Sequence, residues 1–79
     1  MARAIIRYSI DGESSNTTGN ALRKSLEDAG FDRIGTGAYE ADGIDPAAGL
    51  LKLAEVLATL RTPPGGGTAD HVWIYFDQS

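Results

Sequence analysis

Two arginines near the start of the chain, Arg3 and Arg7, and two aromatics near its end, Trp73 and Tyr75, carry the most suggestive chemistry. Each pair is an even number of residues apart inside a segment of alternating character, so each pair shares one side of a strand. Aromatic rings beside guanidinium groups on an open sheet make a platform on which single-stranded RNA bases stack. Trp, Tyr and Arg are also the residues enriched in protein interfaces, so a homodimer face is the second use of the same set. Charge favours the dimer. The chain carries 7 basic and 11 acidic side chains, net −4, whereas tight non-specific binding of nucleic acid draws on a basic field.

Other reactive residues are sparse. His71 is the single histidine, so one protomer holds neither a two-histidine metal site nor a two-histidine acid–base pair. Ser9 and His71 become neighbours if the first and last strands pair, but no strained nucleophile turn surrounds the serine. Glu40 and Asp42 alternate along a strand and read as a solvated face. Gly65-Gly66-Gly67 lacks the Lys-Ser/Thr that a phosphate-cradling loop requires and reads as a linker. With no cysteine, disulfides and thiolate metal sites are excluded, and a reducing compartment is compatible.

The elements that position these residues follow from pattern. Residues 2–10 alternate, with Ala4, Ile6, Tyr8 and Ile10 on one side and Arg3, Ile5, Arg7 and Ser9 on the other. One apolar and one mixed side fit a sheet covered by helices on a single face. A polar loop is expected over residues 13–19, and a helix starts near Asn16 to Thr18, all suitable caps. Leu22, Leu26 and Ala29 recur at helical spacing. Gly30 is a left-handed stop, and Phe31 beyond it folds back onto the helix. Asp45-Pro46 opens a second helix, cap then proline. Its stripe of Leu50, Leu53, Ala54, Leu57 and Leu60 is expected to cover the sheet, and Pro63-Pro64 ends it. Between the helices, residues 33–42 form a hairpin turning near Gly35-Thr36-Gly37 or one bent strand. The last strand spans about residues 71–77. Its cleaner apolar set, Val72, Ile74 and Phe76, belongs in the core, which leaves His71, Trp73 and Tyr75 outward.

The expected fold is therefore α+β, a ferredoxin-like βαββαβ sandwich over residues 1–79 as one domain, with an antiparallel sheet and both helices on one face. So small a core favours oligomerisation. No apolar run approaches the roughly 20 residues of a membrane span and no signal-peptide core is apparent, so a cytoplasmic protein with no membrane partner is expected.

Gly30-Phe31-Asp32-Arg33-Ile34-Gly35-Thr36-Gly37-Ala38-Tyr39-Glu40, together with Tyr8-Ser9-Ile10-Asp11, resembles the superfamily that contains the small CRISPR-associated protein of spacer acquisition and virulence-associated protein D. Its members share a first strand ending in an acidic turn, a helix ending in Gly-Phe or Gly-Leu, and a kinked second strand. The resemblance implies a ferredoxin-like homodimer and, in some members, metal-dependent cleavage of RNA or DNA. The family's usual aspartate follows the first-strand tyrosine directly. Here that position is Ser9, and a hydroxyl is a poor Mg²⁺ ligand beside a carboxylate. Asp11, two residues on, is the substitute candidate for metal and catalysis; Asp11-Gly12 is otherwise a plain turn. The leading expectation is a non-catalytic or weakly active nucleic-acid-associated scaffold, or a toxin–antitoxin-type component. The alternatives are a Mg²⁺-dependent endoribonuclease using Asp11, and a regulatory interaction module with no nucleic-acid role.

Overall fold

The computed structural model describes residues 1–12 and 16–78. The elements run β1 (Ala2–Asp11), α1 (Thr17–Asp28), β2 (Asp32–Gly35), β3 (Ala38–Ile44), α2 (Pro46–Arg61) and β4 (Thr68–Gln78). The sheet order is β2-β3-β1-β4, with every neighbouring pair antiparallel. This is the ferredoxin-like arrangement expected from the pattern. The hairpin alternative holds over residues 33–42: β2 and β3 are separate strands joined at Thr36-Gly37. Of the loop expected at residues 13–19, residues 13–15 lie outside the described residues, and α1 has already begun at Thr17.

The ends of the helices are set by local chemistry. The α1 terminus is a Schellman motif: the Gly30 amide donates to the Glu27 carbonyl at 3.0 Å and the Phe31 amide to the Leu26 carbonyl at 2.9 Å. Gly30 sits at φ +95, and Phe31 is turned back into the core. At the start of α2 the Asp45 carboxylate accepts from the Ala48 amide at 3.0 Å, ahead of proline in the first turn.

The core lies between sheet and helices. Ala4, Ile6, Tyr39 and Ala41 come from the two central strands, Leu22 and Leu26 from α1, and Leu53, Val56 and Leu60 from α2, closed by Phe31. Two expectations are corrected. Val72 and Ile74, expected in the core with Phe76, are 40% and 36% exposed. Leu50, Ala54 and Leu57 are not core residues but stand exposed, and the buried line of α2 is Gly49, Leu53, Val56 and Leu60. The helix is rotated about its axis so that its opposite flank meets α1, where Lys52 Nζ donates to Ser25 Oγ at 3.0 Å. A Cβ on Gly49 would sit against Ile44 and Phe76, so the absence of a side chain there lets the helix approach the sheet closely. The flank bearing Leu50 and Leu57 therefore lies on the β4 side of the layer, where Val72 and Ile74 are also incompletely covered.

β4 is longer than expected at its start. Ser9 faces His71 while Ile10 faces Ala69, so Asp70 is the extra residue of a bulge. That bulge restores Ala69 to the core side, where it packs against the cluster.

Candidate functional site

The register of β1 and β4 assembles the outer face residue by residue. Arg3 stands opposite Asp77, Ile5 opposite Tyr75, Arg7 opposite Trp73 and Ser9 opposite His71. Trp73 and Tyr75 do point away from the helices. Their ring centroids are 6.5 Å apart with planes 11° from parallel, and the Arg7 guanidinium lies 5.9 Å from the centroid of Trp73. Such a cation–π contact is worth about 0.5–1 kcal/mol at an exposed site. The indole remains 53% exposed.

Arg3 is engaged elsewhere. Its Nε and Nη2 both donate to Glu40 Oε2, at 2.9 and 2.6 Å. The hydrogen bond and charge of Glu40 raise the guanidinium above its usual pKa, with Asp42 adding to the effect. The same face carries Asp32, Glu40, Asp42 and Asp77, as the registers of β2, β3 and β4 require. Four carboxylates against two guanidiniums give this face a net negative charge.

Ser9 and His71 are brought together as cross-strand neighbours, but no hydrogen bond joins them. His71 is solvated, and its Nε2 lies 3.4 Å from Asp70 Oδ2. A serine nucleophile needs a base bonded to it and oriented by a third group; this histidine leans on the bulge aspartate instead. Asp11 is the last residue of β1, exposed and opposite Thr68. The next residue, Gly12, turns the chain at φ +80. Among the described residues, no three His, Asp or Glu side chains gather at a metal-binding spacing.

Two features escaped the sequence reading. The first is the β4 edge. β2, the other edge of the sheet, is four residues long and carries Asp32 and Arg33, devices that blunt an edge against pairing. β4 is 11 residues long; its bulge and its aspartates, Asp70 and Asp77, lie toward its ends, and its centre from Val72 to Tyr75 carries no charge, lysine or proline. Among the described residues no strand pairs with its outer side. Apolar surface flanks this edge on both faces: Trp73 and Tyr75 outside; Val72, Ile74, Leu50 and Leu57 on the helix side. The signal was present in the sequence, as a last strand apolar on both of its sides.

The second is a cleft of about 670 Å³ at the opposite corner. It opens between the first two turns of α1, the end of β1 and the β2–β3 turn. Tyr8 and Tyr39 form its floor, with ring centroids 6.4 Å apart and planes 7° from parallel. Arg23 of α1 and Arg33 of β2 reach it from two sides. The turn is held against β1 by a bond from the Tyr8 amide to the Gly37 carbonyl, 2.9 Å.

No helix among the described residues is long and apolar enough to cross a membrane. No family model, curated protein or solved structure matches the chain.

Proposed function

We propose that this protein is a non-catalytic interaction module that works as a homodimer, two copies joining along β4 into one continuous sheet. The observation that carries this reading is the contrast between the two sheet edges: β2 is four residues long and charged, whereas β4 is 11 residues long and exposes Val72, Trp73, Ile74 and Tyr75 at its centre, with its bulge and its aspartates toward the ends.

The strand is self-complementary. A two-fold axis normal to the sheet keeps both pairs of helices on one side, so residues placed opposite each other must come from the same face. An axis at Ile74 meets this condition. It sets Trp73 against the second copy's Tyr75, Val72 against its Phe76, and His71 against its Asp77. Aromatic and aromatic–β-branched cross-strand pairs each contribute about 0.2–1 kcal/mol. Leu50 and Leu57 of the two copies converge beneath the joint sheet and add apolar burial at about 25 cal/mol per Å². The face with four carboxylates and two guanidiniums favours a protein partner over nucleic acid for the assembled module. The scaffold and regulatory readings thus share one physical basis, and the stacked aromatics at the seam are its centre.

Sedimentation equilibrium of the full chain tests the assembly. The expected result is a species of twice 8.3 kDa at tens of micromolar, converted to monomer by Ile74→Lys, with circular dichroism unchanged. A monomer at that concentration, or a dimer indifferent to Ile74→Lys, overturns the reading.

A further inference from the structure

We propose that the cleft beside α1 is a binding site for a small phosphate monoester carrying a planar ring, the chemistry of a nucleoside monophosphate. The site is separate from the β4 edge and does not depend on dimerisation.

Charge sets the cleft apart from the rest of the surface. The protein is net −4, yet the charged side chains lining the cleft, among the described residues, are Arg23 and Arg33 and no carboxylate. Two guanidiniums on one concavity give it a local positive potential that attracts an anion. Arg23 is held by Glu27 at 3.3 Å within its own helix. Arg33 has no ion pair among the described residues, although Asp32 precedes it. The alternation of β2 explains this: Arg33 stands opposite Tyr39 on the helix side, and Asp32 opposite Glu40 on the other. A strand that turns its acid out and its guanidinium into a cleft has left that cation for something else.

The volume of the cleft falls within the range of about 300–1,000 Å³ typical of small-molecule sites. Tyr8 and Ile10 supply apolar surface, and Tyr8 is only partly buried, so an edge of its ring is available for contact with a flat group. Asn16, Asn20 and Thr36 add polar side chains to the same lining. Asn16 Nδ2 donates to Asn20 Oδ1 at 3.3 Å, which orients the two amides as a pair. Guanidiniums from two different elements suit an anion with oxygens in three directions, a phosphate monoester, better than a flat carboxylate.

The wall formed by β1 and the β2–β3 turn is held in place by the bond from Tyr8 to Gly37 and by the close approach of that turn to the Tyr8 carbonyl. A preformed concavity costs little ordering on binding.

The test uses the full chain, with amide chemical shifts read by NMR during titration with adenosine monophosphate, adenosine and inorganic phosphate. Saturable shifts at Tyr8, Gly37 and Asn20 are expected with the monophosphate. Binding should fall about tenfold or more in Arg33→Ala, and also in Arg23→Ala, while Trp73→Ala binds as the natural chain does. Adenosine and inorganic phosphate should each bind at least tenfold more weakly than the monophosphate. No saturable shift at millimolar monophosphate overturns the proposal. Binding untouched by Arg33→Ala also overturns it, and so does equal affinity for inorganic phosphate.

Discussion

The Thr18 hydroxyl accepts a hydrogen bond from the Gly65 amide at 2.9 Å, joining the first turn of α1 to the glycine-rich connector 47 positions away. Thr18 is fully buried, so its polar atom needs partners. The connector 63–67 reads in the sequence as a linker; this contact docks it against α1. A second bond, from the Gly66 amide to the Pro63 carbonyl at 3.0 Å, closes its turn. Thr18→Val keeps the shape and strands the Gly65 amide. A loss of about 1–3 kcal/mol is expected in urea denaturation. Thr18→Ser, which keeps the hydroxyl, should lose clearly less. Equal losses would mean that packing of the methyl, and not the bond, holds the connector.

Gly37 and Gly30 both adopt left-handed backbone, at φ +64 and +95, yet their surroundings differ. A Cβ on Gly30 meets nothing within 4 Å, whereas one on Gly37 collides with the Tyr8 carbonyl oxygen. Gly30→Ala should therefore cost only the conformational strain, about 1 kcal/mol. Gly37→Ala should cost more, about 1–3 kcal/mol, since it also pushes the turn off β1. Thermal or urea unfolding of the two variants side by side measures the difference. A Gly37→Ala loss no larger than that of Gly30→Ala would show that the turn yields without disturbing β1.

Trp73 is the single tryptophan and lies at the edge through which two copies are proposed to join. Its emission reports assembly directly. On dilution from tens of micromolar into the nanomolar range, the emission maximum should move to the red as the indole gains water. Ile74→Lys should show the red-shifted spectrum at every concentration. A spectrum constant across the dilution, in a chain that sedimentation finds dimeric, would place the dimer contact away from β4.

The fold was legible because its punctuation is local. Gly30-Phe31, Asp45-Pro46, Gly35 to Gly37 and Pro63-Pro64 each impose a stop or a turn through their own backbone chemistry, and the first strand alternates cleanly between an apolar and a mixed side. The outward direction of Trp73 and Tyr75 was legible for the same reason. The rotation of α2 was not. Leu50, Leu57 and Val56 are all apolar at helical spacing, and what separates them is the position of α1, a tertiary fact. The bulge at Asp70 has no local mark either, since it arises from the match of β1 to β4. The cleft was missed because its residues come from α1, β1, β2 and β3 and meet only once the sheet is ordered. The clue present in the sequence, Arg33 alternating with Asp32, gains meaning only after the faces are known.

Nuclease activity through Asp11 would require the proposed dimer to bring two copies of this carboxylate to one ion. A Mg²⁺ ion is usually held through one or two carboxylates in near-octahedral oxygen ligation, and the resemblance to a superfamily with metal-dependent members implies such sharing. Asp11 lies five residues along β1 from Ile6, the partner of Ile74. At about 3.4 Å per residue this is about 17 Å along the strands from the proposed axis. The two-fold sends the second copy's Asp11 equally far in the opposite direction. The two carboxylates then lie at opposite ends of the joint sheet and cannot share an ion, while Ser9 offers a neutral hydroxyl. Purified protein with Mg²⁺ or Mn²⁺ should therefore leave single-stranded RNA and duplex DNA uncut over hours, and Asp11→Ala should behave identically. Robust cleavage that disappears in Asp11→Ala would establish the endoribonuclease alternative and require a dimer that brings the two β1 ends together.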